Sequence, residues 1–233
     1  MFTKRTIMAT MTGLVTLAST LMAQAPQQRP LSPAERQDLL YMREEEKLAR
    51  DVYLAMLERW EVRIFENISQ SEQRHMDALG GLIERYGLTD PVTDITPGVF
   101  TNPDLAALYD ELVARGSASL AEALQVGAFI EDLDIVDLRE AMLRSRHTDI
   151  TQAYDDLESG SCNHLRAFVR QITNLGGTYT PEFLTLAEYE AILNGTEAGS
   201  GQRKANAERA ACDGACRRQL CGQGRGCARK ARK

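Results

Sequence analysis

Residues 64–86, with the sequence IFENISQSEQRHMDALGGLIERY, leave this chain few ways to fold. Ile68, Leu79 and Leu82 recur at helical spacing, and Glu72 and His75 fall on the same stripe. A carboxylate that faces a helical core is unfavourable unless it is paired, hydrogen-bonded or bound to a metal ion. Glu-x-x-His also sets a carboxylate and an imidazole side by side on one helix face. The run therefore predicts an amphipathic helix with two metal ligands on its inner face.

Start and stop signals divide the rest of the chain into further helices. Ser or Thr followed three residues later by Glu predicts a helix start at Ser32, Ser119 and Thr185. Glycines predict helix ends near Gly87, Gly116, Gly176 and Gly195. These signals predict helices at 33–60, 62 or 64 to 86, 103–115, 119–144, 148–174 and 185–194.

The connections between the long predicted helices alternate between short and long. Pro91, Pro97 and Gly98 interrupt residues 87–101, which show no helical period. Together with the short helix that follows, this segment is long enough to cross a helical bundle. The pattern predicts an all-α four-helix bundle with one long crossover and short accessory helices, in a single domain at 32–195.

Acidic and histidine side chains recur on the inner stripes of all four long helices. Glu46 shares a stripe with Leu39, Met42 and Tyr53, and its neighbour Glu45 is the reserve candidate. The third long helix carries two acids on its stripe, and the fourth carries one histidine. The predicted metal ligands are Glu46, Glu72, His75, Glu131, Asp134 and His164, with Tyr53 as a hydrogen-bond partner behind them.

Other polar residues on the same helices fall off these stripes. We expect Asp132 and Asp137 to be solvated, and we expect His147, in the polar sequence SRHTD, to lie on the surface. Glu158 lies about 120° around its helix from His164, so we leave it out of the site.

The charge of the chain is distributed unevenly. The net charge is −6, but residues 201–233 hold ten Lys and Arg against two acids, so the remainder is strongly acidic. Negative potential raises the local cation concentration, and it disfavours nucleic acid as a partner. The alternative interpretation, an acidic surface that only aids solubility, accounts for most of these charges.

The first 25 residues have the layout of a secretory signal peptide. A short basic start, an apolar stretch from about residue 7 to 21 and small residues at Ala23 and Ala25 predict cleavage there. An uncleaved N-terminal anchor is the alternative. Residues 26–31 read as a linker, and no later run is apolar enough to span a membrane. We therefore expect a periplasmic or secreted protein with no membrane span after cleavage.

The basic tail, residues 196–233, is rich in cysteine and poor in apolar residues. Cys212, Cys216, Cys221 and Cys227 contain no C-x-x-C pair. In an oxidising compartment two disulfides are the first interpretation, and a zinc site is the alternative. Cys162 could be a buried thiol or could pair with a tail cysteine.

Several motifs carry a resemblance to a known group of proteins. EKLARDVY at 46–53, EQRH at 72–75, and Gly127 with Glu131-x-x-Asp134 resemble the ligand helices of rubrerythrin-type ferritin-like proteins. The segment 41–91, with VGAFIEDLDIVDL at 126–138 and NHLRAF at 163–168, is especially similar to a bacterial secreted ferritin-like family known as domain of unknown function 2202. The resemblance covers about residues 32–194, and it implies a ferritin-like bundle.

The resemblance also implies a function. It implies two metal ions, iron or manganese, bridged by one or two glutamates, and ferroxidase or peroxidase chemistry with oxygen or peroxide. Ser161 stands where the family pattern has a glutamate, and Asp134 could supply the missing carboxylate. The alternative is a non-enzymatic helical binding module with a structural or vestigial metal site. Assembly with further copies of the chain is left open.

Overall fold

Six α-helices make up the secondary structure of the described part of the chain. The computed structural model describes residues 29–196, and it contains no strand within that range. The helices are α1 (Pro33–Trp60), α2 (Arg63–Arg85), α3 (Pro103–Gly116), α4 (Leu120–Arg144), α5 (Thr148–Asn174) and α6 (Leu186–Asn194). The all-α prediction is confirmed, and each helix boundary lies within about two residues of its predicted position.

Local sequence explains where most of these helices begin. Ser32 and Thr185 form reciprocal capping boxes with the glutamates three residues later. Asn102 and Ser119 cap α3 and α4 by accepting hydrogen bonds from backbone N–H groups of the first turn. α2 and α5 have no side-chain cap. Their starts follow from tight connections to the preceding helices.

The four long helices form two hairpins. Two residues, Glu61 and Val62, connect α1 to α2, and Glu61 adopts a left-handed conformation with φ of 54°. Three residues, 145–147, connect α4 to α5. α1 packs on α2 and α4, while α5 packs on α4 and α2. Since the two hairpins are joined by the long segment through α3, the result is a helical bundle with a long crossover.

Charged residues of α1 fasten this crossover to the bundle. Glu44 accepts hydrogen bonds from the backbone N–H groups of Thr101 and Asn102. The buried Lys47 ammonium donates to Asp51 and to the Thr96 carbonyl, and Arg50 binds Asp51 as well. These partners account for the buried charges on this side of α1. Lys47, Arg50 and Asp51, three of the eight residues of the motif at 46–53, therefore stabilise the crossover.

A polar layer divides the interior of the bundle into two apolar clusters. One cluster includes Leu39, Met42, Leu79, Leu82 and Leu138, and the other includes Leu48, Val52, Phe65, Ile68 and Phe168. Along each long helix the predicted ligands lie between residues of the two clusters. Apolar packing on both sides therefore holds the polar layer in place.

Asp132 corrects a prediction. Its side chain was expected to be solvated, but its exposed fraction is 0%. It accepts hydrogen bonds from the Tyr179 hydroxyl (2.8 Å) and from the backbone N–H groups of Glu182, Phe183 and Leu184 (2.6, 3.2 and 2.8 Å). The carboxylate thus fastens the segment before α6 to α4. Asp137 is half-buried.

Replacing Asp132 with asparagine should destabilise the fold. The amide turns one oxygen that accepts from backbone donors into another donor, so buried N–H groups lose their partner. We expect a loss of about 2 to 4 kcal/mol in the free energy of unfolding, measured in urea. The exposed Asp110→Asn control should change it by less than about 0.5 kcal/mol. Equal stability of the two variants would contradict this role.

His147 also departs from expectation. It was predicted to lie on the surface, but its exposed fraction is 8%. Its Nδ1 lies 2.8 Å from Glu35 Oε1, and its ring stacks edge-on against Tyr86. Glu35 accepts in addition from the backbone N–H groups of Arg146 and Ser32. These contacts join the start of α1 to the α4–α5 turn.

Other predictions fall on residues without a described structure. The leader (1–25) lies outside residues 29–196, as do nearly all of the basic tail and its four cysteines. Cys162 is buried in α5. Among the described helices, none combines the length and apolar character that a membrane span requires.

Candidate metal centre

The first group of metal-ligand side chains joins α1 to α2. Glu46, Glu72 and His75, which we call cluster I, bring one donor atom each to within 4.8 Å of the others. His75 Nδ1 lies 2.7 Å from Glu72 Oε2 and 3.2 Å from Glu46 Oε2. The i, i+3 spacing of α2 places Glu72 beside His75, as the sequence predicts.

The second group joins α2 to α4 and α5. Glu72, Glu131 and His164, which we call cluster II, meet the same distance limit. His164 Nδ1 lies 2.7 Å from Glu72 Oε1 and 3.4 Å from Glu131 Oε2. Glu72 therefore belongs to both clusters, with one oxygen near each imidazole. The two histidine rings stack with their centroids 5.7 Å apart.

The charged groups of the two clusters strongly shift the pKa values of one another. Burial alone would lower the pKa of both histidines, but Glu46 and Glu72 raise the pKa of His75 to about 11. Glu72 and Glu131 likewise raise the pKa of His164 to about 10. Burial raises the pKa of Glu46 to about 7, although His75 acts against it. Without an ion, protons occupy this centre and provide its positive charge.

Several buried oxygen and nitrogen atoms of the candidate ligands make no hydrogen bond. Within residues 29–196, Glu46 Oε1, Glu72 Oε1, Asp134 Oδ1 and His164 Nδ1 are buried without a hydrogen-bond partner. His164 Nδ1 and Glu72 Oε1 lie only 2.7 Å apart, but their angles do not suit a hydrogen bond. Such atoms are unfavourable in a core unless a cation completes their coordination. The donor set therefore fits a bound metal ion.

Comparison with known proteins places the chain in a family. Residues 35–196 match the family described as an uncharacterized protein domain, DUF2202. The chain belongs to this family. The uncharacterized protein MJ0754 of Methanocaldococcus jannaschii is 49% identical over 172 residues, covering 73% of this chain and 93% of that protein. The crystal structure of the hypothetical protein MJ0754 from Methanococcus jannaschii superposes with a TM-score of 0.71 at 48% identity, covering 73% of this chain and 97% of that chain.

Asp134 lies beside the two clusters of this DUF2202 protein and belongs to neither. Its Oδ2 accepts a hydrogen bond of 2.6 Å from Ser161 Oγ, while its Oδ1 has no partner among the described residues. Ser161 lies on α5, one turn from His164. The α4 carboxylate is therefore held next to Ser161, the α5 position at which the resemblance to rubrerythrin-type proteins implies a glutamate.

Tyr53 orients one of the candidate ligands. Its hydroxyl donates a hydrogen bond of 2.5 Å to Glu131 Oε1, which leaves Glu131 Oε2 facing His164. Burial raises the pKa of Tyr53, and Glu131 raises it further, so the hydroxyl stays protonated as a donor. Tilted rings of Phe65 and Phe168 flank the tyrosine and exclude water from this side.

Gly160 provides the space that His75 occupies. A Cβ atom on Gly160 would lie 2.7 Å from His75 Nε2, whereas its nearest approach to His164 is 4.0 Å.

Gly160→Ala should therefore displace His75 and weaken metal binding at cluster I about tenfold, with little change at cluster II. Titration with Mn²⁺ measures both steps. Gly81→Ala on α2, where a Cβ meets nothing within 4 Å, is the control. Equal weakening at both clusters would contradict this reading.

Two buried acids near the centre lie outside both clusters. Glu45, the reserve candidate on α1, has an exposed fraction of only 2%, and its carboxyl group contacts Asp137 of α4. Glu158, which was left out of the site, is buried and pairs with Arg139 at 2.9 Å. Because residues 44–46 are three consecutive glutamates, the sequence alone does not indicate which of them faces the core.

Proposed function

We propose that this DUF2202 protein is a ferritin-like di-iron carboxylate protein with oxidoreductase activity of the ferroxidase or peroxidase type. The observation that carries the proposal is the position of Glu72, whose two oxygens each face a different imidazole. A carboxylate in this position can bridge two metal ions, one in cluster I and one in cluster II. The short, long, short connectivity of the bundle supports the ferritin-like assignment.

The donor atoms favour a particular class of metal. Each cluster offers carboxylate oxygens and one imidazole nitrogen, with no sulfur. Oxygen-rich donors with an imidazole suit iron or manganese better than metals that prefer thiolate. We take iron as the first candidate and manganese as the second. Glu46 would help to hold the ion of cluster I, and Glu131 would help to hold the ion of cluster II.

The side chains around the clusters have separate tasks in this proposal. Two iron ions would supply one electron each for the reduction of oxygen or peroxide. Tyr53 fixes the orientation of Glu131, and Phe65 and Phe168 keep water from that side. The histidine side chains are 12% and 11% exposed, so their edges are reached from the surface between α2 and α5. A small oxidant would approach the clusters from this face.

A second function has one observation in its favour. The histidines already form ion pairs with Glu46, Glu72 and Glu131, which raise the pKa of both imidazoles. A protein that never binds metal could hold its interior together with these pairs and act as a non-enzymatic binding module. Glu46 Oε1 and Asp134 Oδ1 argue against it, because these two buried oxygens have neither a hydrogen bond nor an ion pair.

One experiment separates the two functions. The purified protein is loaded anaerobically with Fe²⁺, exposed to oxygen, and followed by iron content, oxygen consumption and ferric absorbance. The proposal predicts about two iron ions per chain and oxygen consumption that exceeds that of free Fe²⁺. The Glu72→Ala, His75→Ala double variant should bind almost no iron, and Glu66→Ala, an exposed residue of α2, should behave as wild type. Equal uptake by wild type and the double variant would remove the proposal, and uptake without turnover would favour the binding module.

A further inference from the structure

The ligands of the two clusters differ in how far they reach the surface. Glu46, Glu72 and Glu131 are at most 2% exposed. By contrast, the side chains of His75 and His164 are 12% and 11% exposed. A molecule that arrives from solvent therefore meets the two imidazoles before it meets any carboxylate of the clusters.

One nitrogen of each imidazole faces outwards. The Nδ1 atoms of His75 and His164 face the carboxylates, and no described residue makes a hydrogen bond with either Nε2 atom. Neither Nε2 is among the buried polar atoms that lack a partner, so both are in contact with solvent. These Nε2 edges mark the place where solvent comes closest to the clusters.

Small residues that are half-buried or exposed surround the imidazole edges on α2 and α5. They are Ser71 and Ala78 of α2, and Ala153, Gly160 and Ala167 of α5. Ser71 and Ala78 lie within about 60° of His75 around α2, and the two alanines of α5 lie within about 20° of Gly160. Because these side chains are short, they leave the imidazole edges open to solvent.

Gly160 lies next to both imidazole edges. A Cβ atom there would lie 2.7 Å from Nε2 and 2.8 Å from Cε1 of His75, and 4.0 Å from Cε1 of His164. Non-bonded carbon atoms in contact lie about 3.5 Å apart or more, so the His75 ring already packs directly on the α5 backbone. The surface here has room for a small molecule, and a side chain on residue 160 would cover it.

We propose that Gly160 is the specificity-determining residue of the metal centre, because its missing side chain leaves an entrance over the edges of His75 and His164 that admits only small molecules. This inference rests on the proposed function, and it concerns which oxidants that function can use. Molecules about the size of oxygen or hydrogen peroxide pass the entrance, whereas a hydroperoxide with a bulky organic group does not.

Oxidation by peroxides of different size tests the inference. The protein is loaded anaerobically with Fe²⁺ and mixed with hydrogen peroxide, tert-butyl hydroperoxide or cumene hydroperoxide in a stopped-flow instrument. Each peroxide takes one electron from each of two ferrous ions, and two protons; its O–O bond breaks to give water and an alcohol, or two waters from hydrogen peroxide. Relative to Fe²⁺ in a small open chelate, the protein should favour hydrogen peroxide over cumene hydroperoxide by at least about a hundredfold.

A variant that narrows the entrance provides the matched comparison. Ala78→Phe places a large ring beside His75 and should slow oxidation by hydrogen peroxide at least about tenfold, with the number of bound iron ions unchanged. The control is Gln70→Phe, at an exposed position about 140° around α2 from His75, which should react as wild type does. The same peroxide selectivity in protein and chelate would overturn the inference and leave the proposed function intact. Protein that binds no iron would remove both.

A second measurement needs no metal ion. In chelator-treated protein, the Cε1 protons of the histidines are followed by nuclear magnetic resonance. Dissolved oxygen, which is small and paramagnetic, should broaden the signals of His75 and His164. A bulky soluble nitroxide should leave them unchanged while it broadens the amide signal of the exposed Gln70. Broadening of both histidines by the nitroxide would overturn the inference, because the entrance would then be too wide to select by size.

Discussion

Glu72→Ala is expected to abolish metal binding at both clusters at once. Glu72 is the only residue common to clusters I and II, and each of its oxygens lies 2.7 Å from a different histidine. Its removal leaves one carboxylate and one imidazole in each cluster, too few donors to compete with water. We expect the number of bound ions at the two clusters to fall from about two to near zero, with affinities lowered by at least about a hundredfold.

Two further variants make this prediction specific. Glu46→Ala removes a donor from cluster I alone, and Glu131→Ala removes one from cluster II alone. Each should therefore weaken one ion and retain the other. Circular dichroism checks that the helices remain, and Glu66→Ala on the exposed face of α2 serves as the matched control. If Glu72→Ala lost only one ion, the bridging position of Glu72 would be wrong.

Metal-free protein is expected to lose stability as the pH rises from 5 to 8. Burial raises the pKa of Glu46 to about 7, so the folded state binds this proton more tightly than the unfolded state. The resulting stability is complete below the ordinary value of 4.5 and is lost as the pH rises through about 7. His75 and His164 add a similar loss between 6.5 and about 10 to 11. Glu72 acts in the opposite sense, because its pKa is lowered, but its contribution is lost only at acidic pH.

The measurement is thermal unfolding with and without metal. With chelator present, we expect the free energy of unfolding to fall by at least about 2 kcal/mol, or Tm by at least about 5 °C, between pH 5 and 8. With Mn²⁺ present, the free energy of unfolding should stay constant or rise with pH. The ion replaces the bound protons, and its affinity increases as the ligands lose their protons. Glu46→Gln in chelator should lose the part of the pH dependence that falls below about pH 6.5, and the part due to His164 should remain. A chelated wild type whose stability rises over this range would contradict the expected sign.

Periodicity alone could predict the main features of the centre. Glu72 and His75 share a stripe with apolar residues on α2, and such a stripe has to face the core whatever the rest of the chain does. The same reasoning located Glu131 and His164, because few polar residues interrupt the apolar faces of α4 and α5. Helix starts were predictable for a related reason, since capping is a property of a few neighbouring residues.

Contacts between distant parts of the chain could not be predicted in this way. Asp132 is buried because backbone N–H groups of residues 182–184 reach it, and His147 is buried because Glu35 does. Nothing near these residues in sequence indicates either partner. The hydrogen bond from Ser161 to Asp134 is equally hidden, because it depends on how α4 and α5 face each other. Burial of a polar side chain thus follows from tertiary partners that periodicity does not contain.

A crystal structure of the manganese-loaded protein, with an anomalous difference map, tests the two-ion centre most directly. We expect two strong peaks about 3.5 to 4 Å apart, one bound by Glu46, Glu72 and His75 and the other by Glu72, Glu131 and His164, with Glu72 between them. Well-ordered clusters I and II without a peak at either, while manganese is bound elsewhere, would contradict it.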